Sequence, residues 1–182
     1  MNTTLEVQPE FDDEFCEIVD GRLVQKAMCA ETQWLVSIIA GWVGTYIREH
    51  RLGRTIDEAK FLLRVSGNHR IPAVAYLSFD RWPSAKRLPR GDYWEVAPDL
   101  AIDVVGPIDN ATYLMAKIAD YLRAGCKAVW IVWPDAEQIH VYDSPKSVKI
   151  YGITDTLEGD PIVPGFRLPL IELFPPEETS AP

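Results

Sequence analysis

Apolar positions recur with a helical period between residues 31 and 50. Trp34, Leu35, Ile38, Ile39, Trp42, Val43, Tyr46 and Ile47 form a wide stripe, which predicts a helix whose aromatic face packs in the core. Arg48, His50 and Arg51 suit its C-terminal end, and Gly53 stops it. A second helical period runs to Ala124, with Asp109 or Asn110 as N-cap and Gly125 as the stop. Leu114, Ile118, Tyr121 and Leu122 form its core face. Lys117 lies between Tyr113 and Tyr121 in a row spaced by four, beside the apolar stripe and not opposite it.

The other patterned segments read as strands. Residues 15–19 and 22–25 flank Asp20-Gly21, a pair suited to the positive φ angles of a tight hairpin. Residues 55–65 predict one or two strands interrupted by Asp57, Glu58 and Lys60. Residues 71–79 predict one strand with Ala73, Ala75 and Leu77 on a single face. Residues 98–105 form a short β-branched run bounded by Pro and Gly, and 128–133 are almost continuously apolar, as in a strand covered on both faces. Strand, helix and strand from 98 to 133 predict a parallel pair with a right-handed crossover. Residues 138–142 and 148–153 predict an antiparallel pair, and 162–173 continue the ordered chain. The pattern gives an α/β (α+β) class with one domain over 14–174, an acidic, loosely ordered arm over 1–13 and a frayed tail over 175–182.

Charge narrows the choice of partner. A net charge of −9 opposes loose attraction to nucleic acid. Against that background Arg81, Lys86, Arg87 and Arg90 cluster in a loop from 80 to 94 that is too long for a simple connection. They are candidate nucleic-acid-binding residues, or else a solvated surface. No apolar run is long enough to span a bilayer, and the acidic N-terminus lacks the pattern of a signal peptide. With Cys16, Cys29 and Cys126 read as reduced thiols, a cytoplasmic location without membrane attachment is expected. The three dispersed histidines speak against zinc.

The chemistry starts from Asp103, a carboxylate in the middle of an apolar strand. Burying it costs several kcal/mol unless a partner is supplied. Lys117, fourteen positions on, is the expected partner, with its charge within about 6 Å. Asp99 falls on the same strand face, but four residues span about 13 Å, too far for both acids to hold one ion.

Taken in order, Glu17-Ile-Val-Asp-Gly-Arg-Leu-Val, Arg70-Ile-Pro, Pro98-Asp-Leu-x-x-Asp-Val-Val-x-Pro, Lys117-x-x-x-Tyr121-x-x-x-Gly125 and Trp130-x-Val-Trp-Pro resemble the Uma-two-type family of restriction endonucleases, in the PD-(D/E)xK nuclease superfamily. The resemblance covers about residues 14–174. It implies a restriction-endonuclease-like core, a mixed central sheet flanked by helices, with an N-terminal hairpin and a long helix. It also implies a DNA endonuclease dependent on Mg²⁺, or Mn²⁺, in which two acids hold the metal and a lysine positions water. A homodimer is implied by the same analogy. Carried over, Asp103 is the metal ligand and Lys117 the catalytic lysine. Ala73 stands where family members have the first acid, so the motif is incomplete, and Glu17 or Glu58 would have to substitute. Two readings stay open: a metal-dependent endonuclease, or a catalytically inactive nuclease-fold relative that serves as a nucleic-acid-binding or protein-interaction module.

Overall fold

The computed structural model describes residues 16–25, 29–107 and 109–174; the arm and tail expected at 1–13 and 175–182 lie outside them. The chain opens with β1 (Cys16–Val19) and β2 (Arg22–Gln25), then α1 (Ala30–Glu49). Asp20 and Gly21 both take positive φ, 50° and 75°, the requirement that selects Asp-Gly for a two-residue hairpin. There follow β3 (Gly53–Asp57), β4 (Phe61–Leu63), β5 (Asn68–Arg70), β6 (Val74–Ser78) and β7 (Leu100–Val104). Then come α2 (Ala111–Arg123), β8 (Ala128–Trp133), β9 (Gln138–Ser144), β10 (Ser147–Tyr151), β11 (Thr156–Glu158) and β12 (Arg167–Pro169). Asn110 caps α2, its side chain accepting from the N–H groups of Thr112 and Tyr113.

The central sheet has the order β10-β9-β8-β7-β6-β3. It is mixed: β7 and β8 run parallel, joined through α2, and the other pairings are antiparallel. One face packs on α1, where Leu35, Ile39, Val43 and Ile47 meet Val74, Tyr76, Leu100, Ile102, Ala128 and Trp130. The other face carries Ala75, Leu77, Ala101, Val129 and Ile131 against Leu114, Ile118 and Tyr121 of α2 and Phe61 of β4. Apolar cover on both sides explains the unbroken hydrophobic run of β8. A second sheet, β2-β1-β5-β4, lies at the α2 side, and β11 pairs with β12 at the α1 side. Among the described residues no helix is long and apolar enough to cross a membrane.

Two expectations change. The strand read over 71–79 begins only at Val74: β6 covers Val74–Ser78 in the central sheet, and Ile71-Pro72-Ala73 separates it from β5 of the small sheet. Pro72 has no N–H for a ladder, and the N–H groups of Ile71 and Ala73 go to side-chain carboxylates instead. Residues 55–65 hold two strands, one of the two readings expected, and β3 and β4 belong to different sheets. The aromatic stripe of α1 is only partly core: Trp34 and Trp42 are 47 % and 41 % exposed, because eight positions cover a wider arc than one sheet face can bury.

Close backbone approach makes Gly53 sensitive. A Cβ there would lie 2.1 Å from the Leu77 carbonyl oxygen and 2.7 Å from the Tyr76 ring, on the β3–β6 ladder. Gly53→Ala is expected to lower stability by about 3 kcal/mol, through strain that the paired backbone cannot relax. Urea midpoints of the two proteins measure it; equal midpoints refute the contact.

Candidate active site

Asp103 sits on the α2 face of β7, almost wholly buried. The β6–β7 register pairs Val74 with Ile102 and Ala75 with Ala101, and one step further places Ala73 opposite Asp103. Its N–H donates to Asp103 Oδ1 at 3.2 Å. Lys117 reaches down from the middle of α2, with Nζ 2.9 Å from Asp103 Oδ2 and 3.0 Å from Oδ1. The pair is thus well inside the distance expected from sequence. The same ammonium meets Glu17 Oε1 at 2.8 Å and the Ile71 carbonyl at 3.1 Å. Glu17 comes from β1, so residues from β1, β7, α2 and the break after β5 converge on one nitrogen.

Behind Glu17 lies a set of residues to which the sequence reading assigned no role. Arg70, with no exposed surface, donates from Nη1 to Glu17 Oε2 at 2.9 Å. Its Nε and Nη2 donate to Asp120 Oδ2 at 2.9 and 2.6 Å, and Asn68 Nδ2 donates to the same oxygen at 2.8 Å. Arg123 reaches Asp120 Oδ1 from the surface at 3.1 Å. Tyr113 donates its hydroxyl to Glu17 Oε2 and lies beneath the Arg70 guanidinium, 5.0 Å from ring centre to Cζ. The available signal was the helix: Tyr113, Lys117 and Asp120 follow at spacings of four and three, so one face of α2 carries all three.

Buried ion pairs stabilise little on balance, since desolvation roughly offsets their attraction. Three acids and two bases gathered under one cleft therefore point to chemistry and not to fold stability alone. Burial would raise the Glu17 carboxyl, but the Lys117 charge and hydrogen bonds from Lys117, Tyr113 and the Ile71 N–H outweigh it and hold it at about 2. Burial would lower Lys117, yet Asp103 and Glu17 more than compensate and keep it cationic. The Tyr113 hydroxyl is pushed up by burial and by Glu17, so it stays a donor.

Glu17, Asp103, Lys117 and Tyr113 line a cleft of about 270 Å³ together with Gln25 and Asn110. Glu58 is not among them. It lines another cleft, of about 590 Å³, with Lys60, Tyr93 and Trp94, and its N–H donates to the Ala73 carbonyl at 3.2 Å. In the basic loop Lys86, Arg87 and Arg90 are exposed, with Lys86 Nζ 3.6 Å over the Trp82 ring. Arg81 differs from them: its guanidinium donates to Asp99 Oδ1, the Ala97 carbonyl and the Gly125 carbonyl, leaving it a tie within the fold. Asp99 also takes the Ser78 N–H and Lys127, and stands apart from the Asp103 cluster. Among the described residues no three His, Cys, Asp or Glu side chains gather as a metal cage. The cleft carries three acids, Glu17, Asp103 and Asp109, and Ala73 adds none opposite Asp103. The Asp103 carboxylate and the Ile71 carbonyl, both accepting from Lys117, form a hard-oxygen set beside that ammonium. It fits a Mg²⁺ that keeps water and takes substrate phosphate oxygens.

The Glu17 shift fixes a pH dependence. A carboxyl held below its ordinary value contributes stability above about pH 4.5, and that contribution fades as pH falls towards about 2. Its size is on the order of 3 kcal/mol. Glu17→Gln is expected to be less stable at pH 7 and to lose this part of the acid slope, measured by denaturant melts between pH 2 and 7; an unchanged slope means Glu17 is not held ionised.

No curated protein matches the chain. Among solved structures it is similar to one titled "Crystal structure of a putative nuclease belonging to DUF820 from Anabaena variabilis ATCC 29413". The TM-score is 0.77 at 18 % identity, over 87 % of this chain and 89 % of that one, so the two share a fold. A family model described as "Putative restriction endonuclease" matches residues 3–171, nearly the whole length: the chain belongs to the Uma2 family.

Proposed function

We propose that this protein is a DNA endonuclease that hydrolyses phosphodiester bonds in the Asp103–Lys117 cleft with the help of a divalent cation, Mg²⁺ or Mn²⁺. The observation that supports it most is the convergence of Glu17, Asp103 and Lys117, distant in sequence, within 3 Å of one nitrogen in an accessible cleft. Asp103 and the Ile71 carbonyl would hold the cation, which when bound supplies charge neutralisation at the phosphate and a more acidic water. Lys117 carries a fixed positive charge on a rigid helix, suited to orient a water molecule and to stabilise charge developing on the phosphate oxygens. Tyr113 and the pair Arg70–Asp120 keep that charge in place.

A second reading, a non-cleaving relative that binds DNA or another macromolecule, is favoured by one observation: Ala73 offers no carboxylate opposite Asp103. Nicking of supercoiled plasmid separates the two. The expected result is nicking in Mg²⁺ or Mn²⁺ and none in EDTA. Lys117→Met should slow it by about 10²- to 10⁴-fold, and Ala73→Asp should accelerate it by supplying the second acid. Should neither wild type nor Ala73→Asp nick the plasmid while both still bind it, the second reading replaces the first.

Contact with DNA falls to the three exposed bases of the loop, since Arg81 is engaged within the fold. Three phosphate contacts give a log–log salt slope of about −3. Fluorescence titrations of duplex DNA at several salt concentrations should show it. Changing Lys86, Arg87 and Arg90 together to Ser should flatten the slope. A slope near zero in the wild type would remove this loop as the DNA contact.

A further inference from the structure

Glu17 lines the cleft, yet each of its acceptor positions is already taken. Oε1 accepts the Ile71 N–H at 2.8 Å and Lys117 Nζ at 2.8 Å. Oε2 accepts Arg70 Nη1 at 2.9 Å and the Tyr113 hydroxyl. An ionised carboxylate offers about four lone-pair sites, so four donors fill it. A cation could bind Glu17 only by expelling one of two positive charges, a buried N–H or a buried hydroxyl. Asp103 takes Lys117 on both oxygens and the Ala73 N–H on Oδ1, and it stands opposite Ala73, which brings no carboxylate.

We infer that Glu17 is the orienting acid of Lys117 and not a cation ligand, and that Arg70 and Tyr113 are positioning residues that keep it in this role. Arg70 is well placed to do so. It grips Glu17 with one arm and Asp120 with the rest of its guanidinium, and Asp120 lies on α2 three residues beyond Lys117. The guanidinium thereby ties β1 to the helix that carries the lysine, and fixes the Glu17 carboxylate against the Lys117 ammonium. Asn68 closes the back of the arrangement on Asp120. Within the cleft the labour is divided: Asp103 faces cation and substrate, Glu17 faces the lysine. The functional meaning of this division rests on the endonuclease reading; the carboxylate saturation does not.

The test uses the full chain uniformly labelled with ¹⁵N and followed by NMR, with Mn²⁺ as the cation probe. A buried ammonium held by three acceptors is expected to give a slowly exchanging Nζ–H signal. That signal should shift in Tyr113→Phe, which removes one hydroxyl, and be lost in Glu17→Gln, while the backbone amide spectrum stays folded. In the second arm, Mn²⁺ broadens amide signals around Asp103. Glu17→Gln should weaken this by about 10- to 100-fold and leave it detectable at higher Mn²⁺, and Asp103→Asn should abolish it. Loss of Mn²⁺ broadening in Glu17→Gln overturns the inference, as does an unaltered Lys117 signal in both Glu17→Gln and Tyr113→Phe. If the wild type shows no Mn²⁺ broadening at all, the metal-dependent reading of the cleft fails, and the lysine signal alone decides the role of Glu17.

Discussion

A single buried ammonium organises this protein. Lys117 Nζ needs oxygen on every side to stay charged away from water, and it takes that oxygen from Glu17, Asp103 and the Ile71 carbonyl. Each element that supplies one of these acceptors is held in place by that demand. The β1 hairpin must dock so that Glu17 arrives, the central sheet must present Asp103 towards α2, and the chain must leave its ladder at residues 71–73. Truncating any one partner would leave another charge buried without compensation, a loss of about 3–5 kcal/mol, large against the whole stability of a domain.

At the strand break the backbone itself serves the cluster. Ile71 gives its N–H to Glu17 and its carbonyl to Lys117, Ala73 gives its N–H to Asp103 and its carbonyl to the Glu58 N–H. Those four groups would otherwise pair along a continuous strand. Pro72 between them has no N–H to lose, so the cheapest place to interrupt the ladder coincides with the place where the site needs polar backbone. Residue 73 then stands opposite Asp103, where an alanine brings no carboxylate.

The basic loop shows how one charge type divides between roles. Arg81 is folded back on Asp99, on Ala97 and on Gly125 at the end of α2, so it fastens the loop to the sheet. Lys86, Arg87 and Arg90 remain at the surface. A planar guanidinium with several donors can bridge a carboxylate and two carbonyls at once, which a lysine ammonium on a flexible stem does less well. In a protein of net charge −9, the three that remain outside form a local field of opposite sign.

The sequence by itself determined whatever depends on local periodicity and on short-range chemistry. The Asp20-Gly21 hairpin, both helices with the Asn110 cap, the doubly covered strand at 128–133 and the parallel pair around α2 all follow from spacing and turn residues. The contact between Asp103 and Lys117 was legible for the same reason: a charge inside an apolar strand must find a partner, and the next helix offers one. Other features were decided only by the tertiary structure. The outward turn of Trp34 and Trp42, the late start of the 71–79 strand at Val74 and the inward use of Arg81 depend on which surfaces meet. So does the joining of Arg70 with Glu17 and Asp120, 53 and 50 residues away. Ion-pair partners so far apart share no period and no turn, and nothing in either segment marks the other. Their pairing is set by how a hairpin, a strand end and a helix pack together, because only there does each buried charge meet its counter-charge.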